Sequence, residues 1–327
     1  MQRLSLLLIG LLFIMCSCNQ SAQITQDNKI SSSLTKQISS INHQLIVGMA
    51  AQDPTQVLPL CSNEMAKKGA NGFLAVMQEA GKRFDINKFH VLNQFYLQQA
   101  KEGTTTRVST SGNHGYTFSF QAANSELFVT VGYFEGQVQD PALILVYGKY
   151  GNAWKLNILQ VGFIHIKGKD AYDWYEQAQT DLKQGYLADA ADDMVLCNLV
   201  NEPANQFWHY SSENKFVDFD KQLTVALNKQ YTFPLAFKDV PTHPQVFRIF
   251  PQASVEGYFP MIVYKTSINL KDTVALSKEC DQMNQTIGNV FKGLDLGKKY
   301  LFYRACAKIP ASGERVAEHG FVRKGKE

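Results

Sequence analysis

YGKYGNAWKLNILQVG, residues 147–162, closes the first folded region, and its spacing shows what kind of region that is. An apolar run over 142–147 ends on its first residue and suits a strand buried on both faces. A second strand follows, with Trp154, Leu156 and Ile158 on one face. Its apolar register then slips by one, to Leu159, Val161 and Phe163, as a β-bulge would cause.

Upstream, the period of two persists. In GYTFSFQ, residues 115–121, Tyr116, Phe118 and Phe120 alternate with polar residues, which predicts a half-buried strand, and 126–134 predicts another. Before these strands the period is helical. Ile38, Ile41, Leu45, Ile46 and Met49 mark a first helix, and Pro54 opens a second that carries Val57, Leu58, Cys61 and Met65. A third carries Phe73, Leu74 and Met77 and turns at Gly81.

Helices followed by a bent antiparallel sheet, closing on an aromatic–Lys–apolar strand, resemble the cystatin-like roll of nuclear-transport-factor-type domains over 34–167. The resemblance implies a cone-shaped pocket between helices and sheet. Tyr116, Tyr133, Tyr147 and Trp154, aromatic groups with polar handles, are the candidate ligand-binding residues; the plainer reading is that they fill the core. Enzymes of that family place an acid or base inside the cone. Here Glu126, Glu135, His165 and His90 sit near strand ends, and none has a titratable neighbour at a spacing that would tune its pKa. No catalytic residue is assigned.

Residues 168–212 predict a helical hairpin broken at Gly185. The series Trp174, Ala178, Gly185, Ala190, Met194, Cys197 and Pro203 resembles one tetratricopeptide repeat, although Leu187 and Ala188 stand where an aromatic is usual. Stacked repeats need about three units to share a core, so a lone hairpin is read as a bridge between domains. His209 after it reads as an edge residue. From about Phe216, within a unit set at 213–327, the chain reads as strands punctuated by proline, then a helix over 273–292, then two more strands. Asp272 is that helix's expected cap and Gly293 its stop. This predicts a small α+β domain with one helix on an antiparallel sheet, and the whole chain as α+β.

At the other end, Arg3 precedes an apolar run over 4–15, the length of a signal-peptide core and short of the roughly 20 residues of a membrane span. MCSC, residues 15–18, follows it and resembles the lipobox of bacterial lipoproteins. The resemblance implies cleavage after 1–17, acylation (palmitate among the chains) at Cys18 and, with Asn19 rather than aspartate next, an outer-membrane protein facing the periplasm of a diderm cell. Cys16 is the alternative acceptor, and an ordinary secretory signal the plainer reading. Residues 18–33 are polar and predict a flexible tether.

The composition, 45% hydrophobic and 12% aromatic, can build real cores. A net charge of +3, with the lysines scattered, excludes an electrostatic nucleic-acid binder. Cys61, Cys197, Cys280 and Cys306 form no CxxC or Cys/His zinc spacing, so neither metal nor cofactor is expected. Cys280 and Cys306 are the pair a disulfide would join, with buried thiols the favoured alternative. No Gly-rich phosphate loop, HExxH or nucleophile elbow appears. The leading expectation is a non-catalytic envelope lipoprotein that binds a small apolar or amphipathic ligand, or a protein partner, through the roll cavity or sheet surface. A scaffold subunit docking through the hairpin and C-terminal domain is second, and a hydrolase or isomerase in the cone third.

Overall fold

The computed structural model describes residues 22–326, without the side chains of 68–74, 79, 80 and 82. Cys18 and the signal segment lie outside these residues, as do the side chains of Phe73 and Leu74. In chain order the elements are β1 (Gln23–Gln26), α1 (Ser32–Ala50), α2 (Pro54–Val57), α3 (Asn63–Ala80), β2 (Phe89–Gln98), β3 (Thr105–Ser109), β4 (Tyr116–Gln121), β5 (Leu127–Phe134), β6 (Gln139–Tyr150) and β7 (Ala153–Ile166). Then come α4 (Ala171–Gln184), α5 (Leu187–Val200), β8 (Trp208–Tyr210), α6 (Glu213–Gln230), β9 (Leu235–Ala236), β10 (Gln245–Ala253), β11 (Tyr258–Lys265), α7 (Thr273–Val290), β12 (Leu301–Cys306) and β13 (Glu318–Arg323). The chain is α+β, as its periodicities imply.

A five-stranded antiparallel sheet, ordered β1-β2-β5-β6-β7, is the spine of the N-terminal half. Strand alternation sends Leu143, Leu145 and Tyr147 of β6 to one face and Ala142, Ile144 and Val146 to the other, and all six are buried. The first set, with Phe128, Phe134, Trp154 and Leu156, packs on Ile38, Leu45, Ile46 and Met49 of α1. The second packs on a separate three-stranded sheet, β3-β4-β8, and on the α4–α5 hairpin. The bulge expected in β7 lies at Asn157, since Val146 pairs Ile158 while Tyr147 pairs Leu156, and a second lies at Ile164.

Asp170 caps α4 through a reciprocal capping box with Asp173, and Gly185, at φ +81, ends it. α5 then runs through the middle of the molecule. One continuous core extends from Val129 and Ile144 through Ala190, Met194 and Cys197 to Ile262, Tyr264, Met283 and Tyr303 of the C-terminal unit. The hairpin thus shares one core with residues on both sides of it in the chain. Among the described residues no helix is long and apolar enough to cross a membrane.

Several expectations are corrected. The segment expected as a tether over 18–33 contains β1, whose backbone pairs with β2 from Gln23↔Gln98 to Gln26↔Phe95. Asp27 fixes the exit from that strand by accepting from the Gln94 backbone N–H at 2.7 Å and Asn93 Nδ2 at 3.1 Å. β4 belongs to the second sheet and recruits β8, so that sheet spans the boundary drawn at 167/168. Residues 213–230, expected to open a strand-rich region, form α6, because Phe216, Phe219 and Leu223 bury one helical face. The C-terminal sheet, ordered β13-β12-β11-β10-β9, is mixed rather than antiparallel. β12 returns parallel beside β11 because α7 crosses between them. Asp272 does cap α7, accepting from the Ala275 N–H at 3.0 Å.

The disulfide is not formed. Cys280 and Cys306 are buried free thiols. Cys280 joins the core under α7, while Cys306 packs with Met261 and Val263 in a separate apolar cluster. Burial raises both thiol pKa values, that of Cys280 to about 12.

Candidate functional site: a cleft between the two sheets

The four aromatic residues expected to line one pocket do not meet. Tyr147 is fully buried on the helix side of the spine, its hydroxyl donating to Asn42 Oδ1 at 2.7 Å. Trp154 packs edge-on against Phe128 and Tyr96 on the same side. Tyr133 sits between the rings of His90 and His165, and Tyr116 belongs to the second sheet. The interior of the expected cone is filled by Phe128, Tyr147 and the α1 stripe.

A cleft of about 540 Å³ opens instead where the two sheets meet the start of α4. Asn93 lines it from β2, Ser109 to Ser111, His114 and Tyr116 from the β3–β4 hairpin, and His165 from the end of β7. Asp170 and Trp208 complete the wall. Only Tyr116 among the four expected residues is there. Its ring stacks on Trp208 at 3.8 Å between centroids, and its hydroxyl donates to Asn93 Oδ1 at 2.9 Å. Burial raises its phenol pKa. Among the described residues Trp208 Nε1 is buried without a partner.

Two histidines in this wall are each held by an aspartate through Nδ1. His114 Nδ1 lies 2.8 Å from Asp170 Oδ2, and His165 Nδ1 lies 2.9 Å from Asp140 Oδ2. A carboxylate partner makes Nδ1 the donor and leaves Nε2 as the ring atom open to a ligand. Asp140 is itself fixed, its Oδ1 accepting from the Gly136 N–H at 2.9 Å. Desolvation alone would lower the His114 pKa. The bond to Asp170 and the charges of Asp170, Asp173 and Glu176 outweigh it and hold the imidazole above its ordinary value. His165 thus has a titratable partner, contrary to the reading of its neighbours in sequence.

His114, Asp170 and Asp173 bring three ligand atoms within 4.8 Å of one another. Local structure accounts for all three. Asp170 Oδ1 accepts from the Asp173 N–H, and Asp173 Oδ2 from the Asp170 N–H. Both charges also face the positive end of α4, where a cation would be disfavoured. Among the described residues this cap and its His partner carry no claim to a metal.

The spacing of Asp170 and Asp173 could mark a helix cap, but nothing local ties Asp170 to His114, 56 positions away, or marks Asn93. Asp140 and His165 were findable only as a cross-strand pair in the β6–β7 register. Compared with known proteins, the chain matches no family model, no curated protein and no solved structure.

Proposed function

We propose that the protein is an envelope lipoprotein, anchored through Cys18, that binds a small polar ligand in the cleft between its sheets. One observation carries the binding reading: two imidazoles of one wall, each oriented through Nδ1 by an aspartate, leave Nε2 for a ligand. Hydroxyls of Ser111 and Tyr116 and the amide of Asn93 add polar contacts, and among the described residues no Lys or Arg lines the cleft. With Asp170 in the wall and Asp140 behind His165, this lining suits a neutral polyhydroxylated or amine-bearing ligand better than an anion. The anchor reading rests on residues 15–19. A docking role for the hairpin has less support, because ten of the fourteen residues of α5 are buried within the molecule.

The test is thermal unfolding of the mature chain against a panel of sugars, polyols and small amines. One class should raise the midpoint, by about 2.7 kcal/mol of stabilisation at a hundredfold excess over Kd. His114→Ala combined with His165→Ala should abolish the rise. A panel without effect, or a rise that survives both substitutions, refutes the binding site. Cys18→Ser moving the protein from the membrane to the soluble fraction tests the anchor separately.

The aspartate-held imidazoles favour a second reading, acid–base catalysis in the same cleft. It predicts that a bound ligand is recovered chemically changed, which mass spectrometry of the ligand before and after incubation decides.

A further inference from the structure

On the opposite face of the spine, the helix–sheet seam ends in a small apolar pocket of about 270 Å³. Val76 of α3 and Phe84 form one wall, and Pro141 of β6 with Val161 and Phe163 of β7 form the other. Backbone geometry opens it. The bulge between Asp140 and Pro141 interrupts the β6–β7 register there, and proline has no N–H to give the ladder. Gly162, between Val161 and Phe163, turns to the other face, where a Cβ would lie 2.3 Å from the Pro203 carbonyl oxygen, so it offers the pocket backbone alone.

A cation stands at the lip. Arg83 lines the pocket, is exposed, and holds its guanidinium 5.8 Å from the Phe163 ring centroid. Among the described residues no carboxylate pairs with it. Beyond Arg83 the pocket continues into a polar cleft of about 550 Å³ that Lys88, Asp85 and Glu135 also line. Among the described residues neither acid there pairs with Arg83. Asp85 Oδ1 accepts from the Asn87 N–H at 3.0 Å, and Glu135 faces His90 Nε2 at 3.7 Å.

We infer that this seam pocket binds a small monoacyl carboxylate, its chain among Val76, Phe84, Pro141, Val161 and Phe163 and its carboxylate on Arg83. The volume lies just below the usual range for small-molecule sites, which selects a short chain over a long one. An apolar floor under a guanidinium that no carboxylate pairs with among the described residues selects an anionic head over a neutral or cationic one. The site shares no residue with the histidine cleft and stands independently of the function proposed for it.

The test is isothermal titration of residues 19–327, which contain every described element, with octanoate, octanol and octylamine in detergent-free buffer. Octanoate should bind saturably and more tightly than octanol, and octylamine should not bind. Arg83→Ala, a change at an exposed position, should weaken octanoate about fivefold, the worth of one exposed ion pair, and leave octanol unchanged. Val161→Trp should remove binding of both. If that variant does not fold, the methyl resonances of Val76 and Val161 in the wild-type protein should shift with octanoate. The inference falls if octanoate does not saturate below its micelle concentration, or binds no better than octylamine. It falls equally if Arg83→Ala has no effect, or if His114→Ala with His165→Ala removes the binding instead.

Discussion

Asp170 holds three positions at once: it caps α4, it closes the capping box with Asp173, and it pairs with His114. Its substitutions separate these roles. Asp170→Asn keeps a good N-cap and removes the charge, so the His114 pKa should fall, read by its Cε1–H resonance during a pH titration. Asp170→Ala also loses the cap, which should cost about 1 kcal/mol in urea unfolding. The sign of the pH effect follows from the raised imidazole pKa. The pair stabilises the fold below the unfolded value near about 6.5, and that contribution is lost as pH rises through the folded value. Asp170→Asn should therefore destabilise more below about pH 6 than above about pH 8; equal effects at both would remove His114 from the account. The second pair shows why such sites are hard to read from sequence. Tyr150 pairs Ala153 at the β6–β7 turn, and an uninterrupted ladder would set Asp140 opposite Phe163. Two bulges add one residue each to β7 and bring His165 there instead. The slip near Ile158 was visible as a change of apolar register; the one at Ile164 left no such mark.

At the scale of elements, legibility followed how much apolar side chain each element contributes. β4, β6 and α7 were readable because they bury regular stripes. β1 was not, because its residues are mostly polar and what holds it is backbone pairing to β2 together with the Asp27 carboxylate. α6 carried a helical stripe in Phe216, Phe219 and Leu223, but aromatic residues serve strands as well and the proline-punctuated strands beyond it set the reading. The parallel β11–β12 pair follows once α7 is known to cross between neighbouring strands. The end of α7 also couples two parts of the chain. Gly293 adopts φ +92, and a Cβ there would lie 2.4 Å from Tyr186 Cγ at the α4–α5 turn. Lys292 stands beside it, donating to the Gln184 carbonyl at 2.8 Å with its ammonium 5.4 Å from the Tyr186 ring centroid. Gly293→Ala combines a left-handed backbone with a steric conflict and should cost about 1–3 kcal/mol, read as a lower urea midpoint. A midpoint unchanged from wild type would mean that the turn and the hairpin do not bear on each other.

Across the whole molecule, α5 is the element that all three parts share, and it carries a charge imbalance into the interior. Asp189, Asp192 and Asp193 are all buried, and among the described residues Oδ2 of Asp192 and of Asp193 has no hydrogen-bond partner. Lys298, from the loop after α7, reaches Asp189 at 2.8 Å and is the cation that faces the group. Asp181 of α4 adds negative charge, and the Tyr231 phenol lies close enough to Asp189 for burial and that charge to raise its pKa. Desolvation raises all three aspartates, and with the bond to Asp181 it pushes Asp193 up to about 9. A carboxyl raised above its unfolded value holds a proton in the native state that the unfolded chain has released. Its stabilising contribution is present in acid and declines as pH rises from the unfolded pKa through the folded one. His114 adds a loss of the same sign around neutrality, and the buried thiols add another that begins near the unfolded thiol value of about 8.5, so the comparison with Asp193→Asn between about pH 7.5 and 9 isolates the aspartate. The thermal midpoint should fall steadily across that window. Asp193→Asn, which keeps the shape and the bond to Asp181 without a proton to lose, should flatten the fall and raise the midpoint at its alkaline end. A wild-type midpoint constant across the window, or an Asp193→Asn curve falling in parallel with it, would mean that the acids of α5 are paired in solution. In that case they would not join the hairpin to the C-terminal unit through a retained proton.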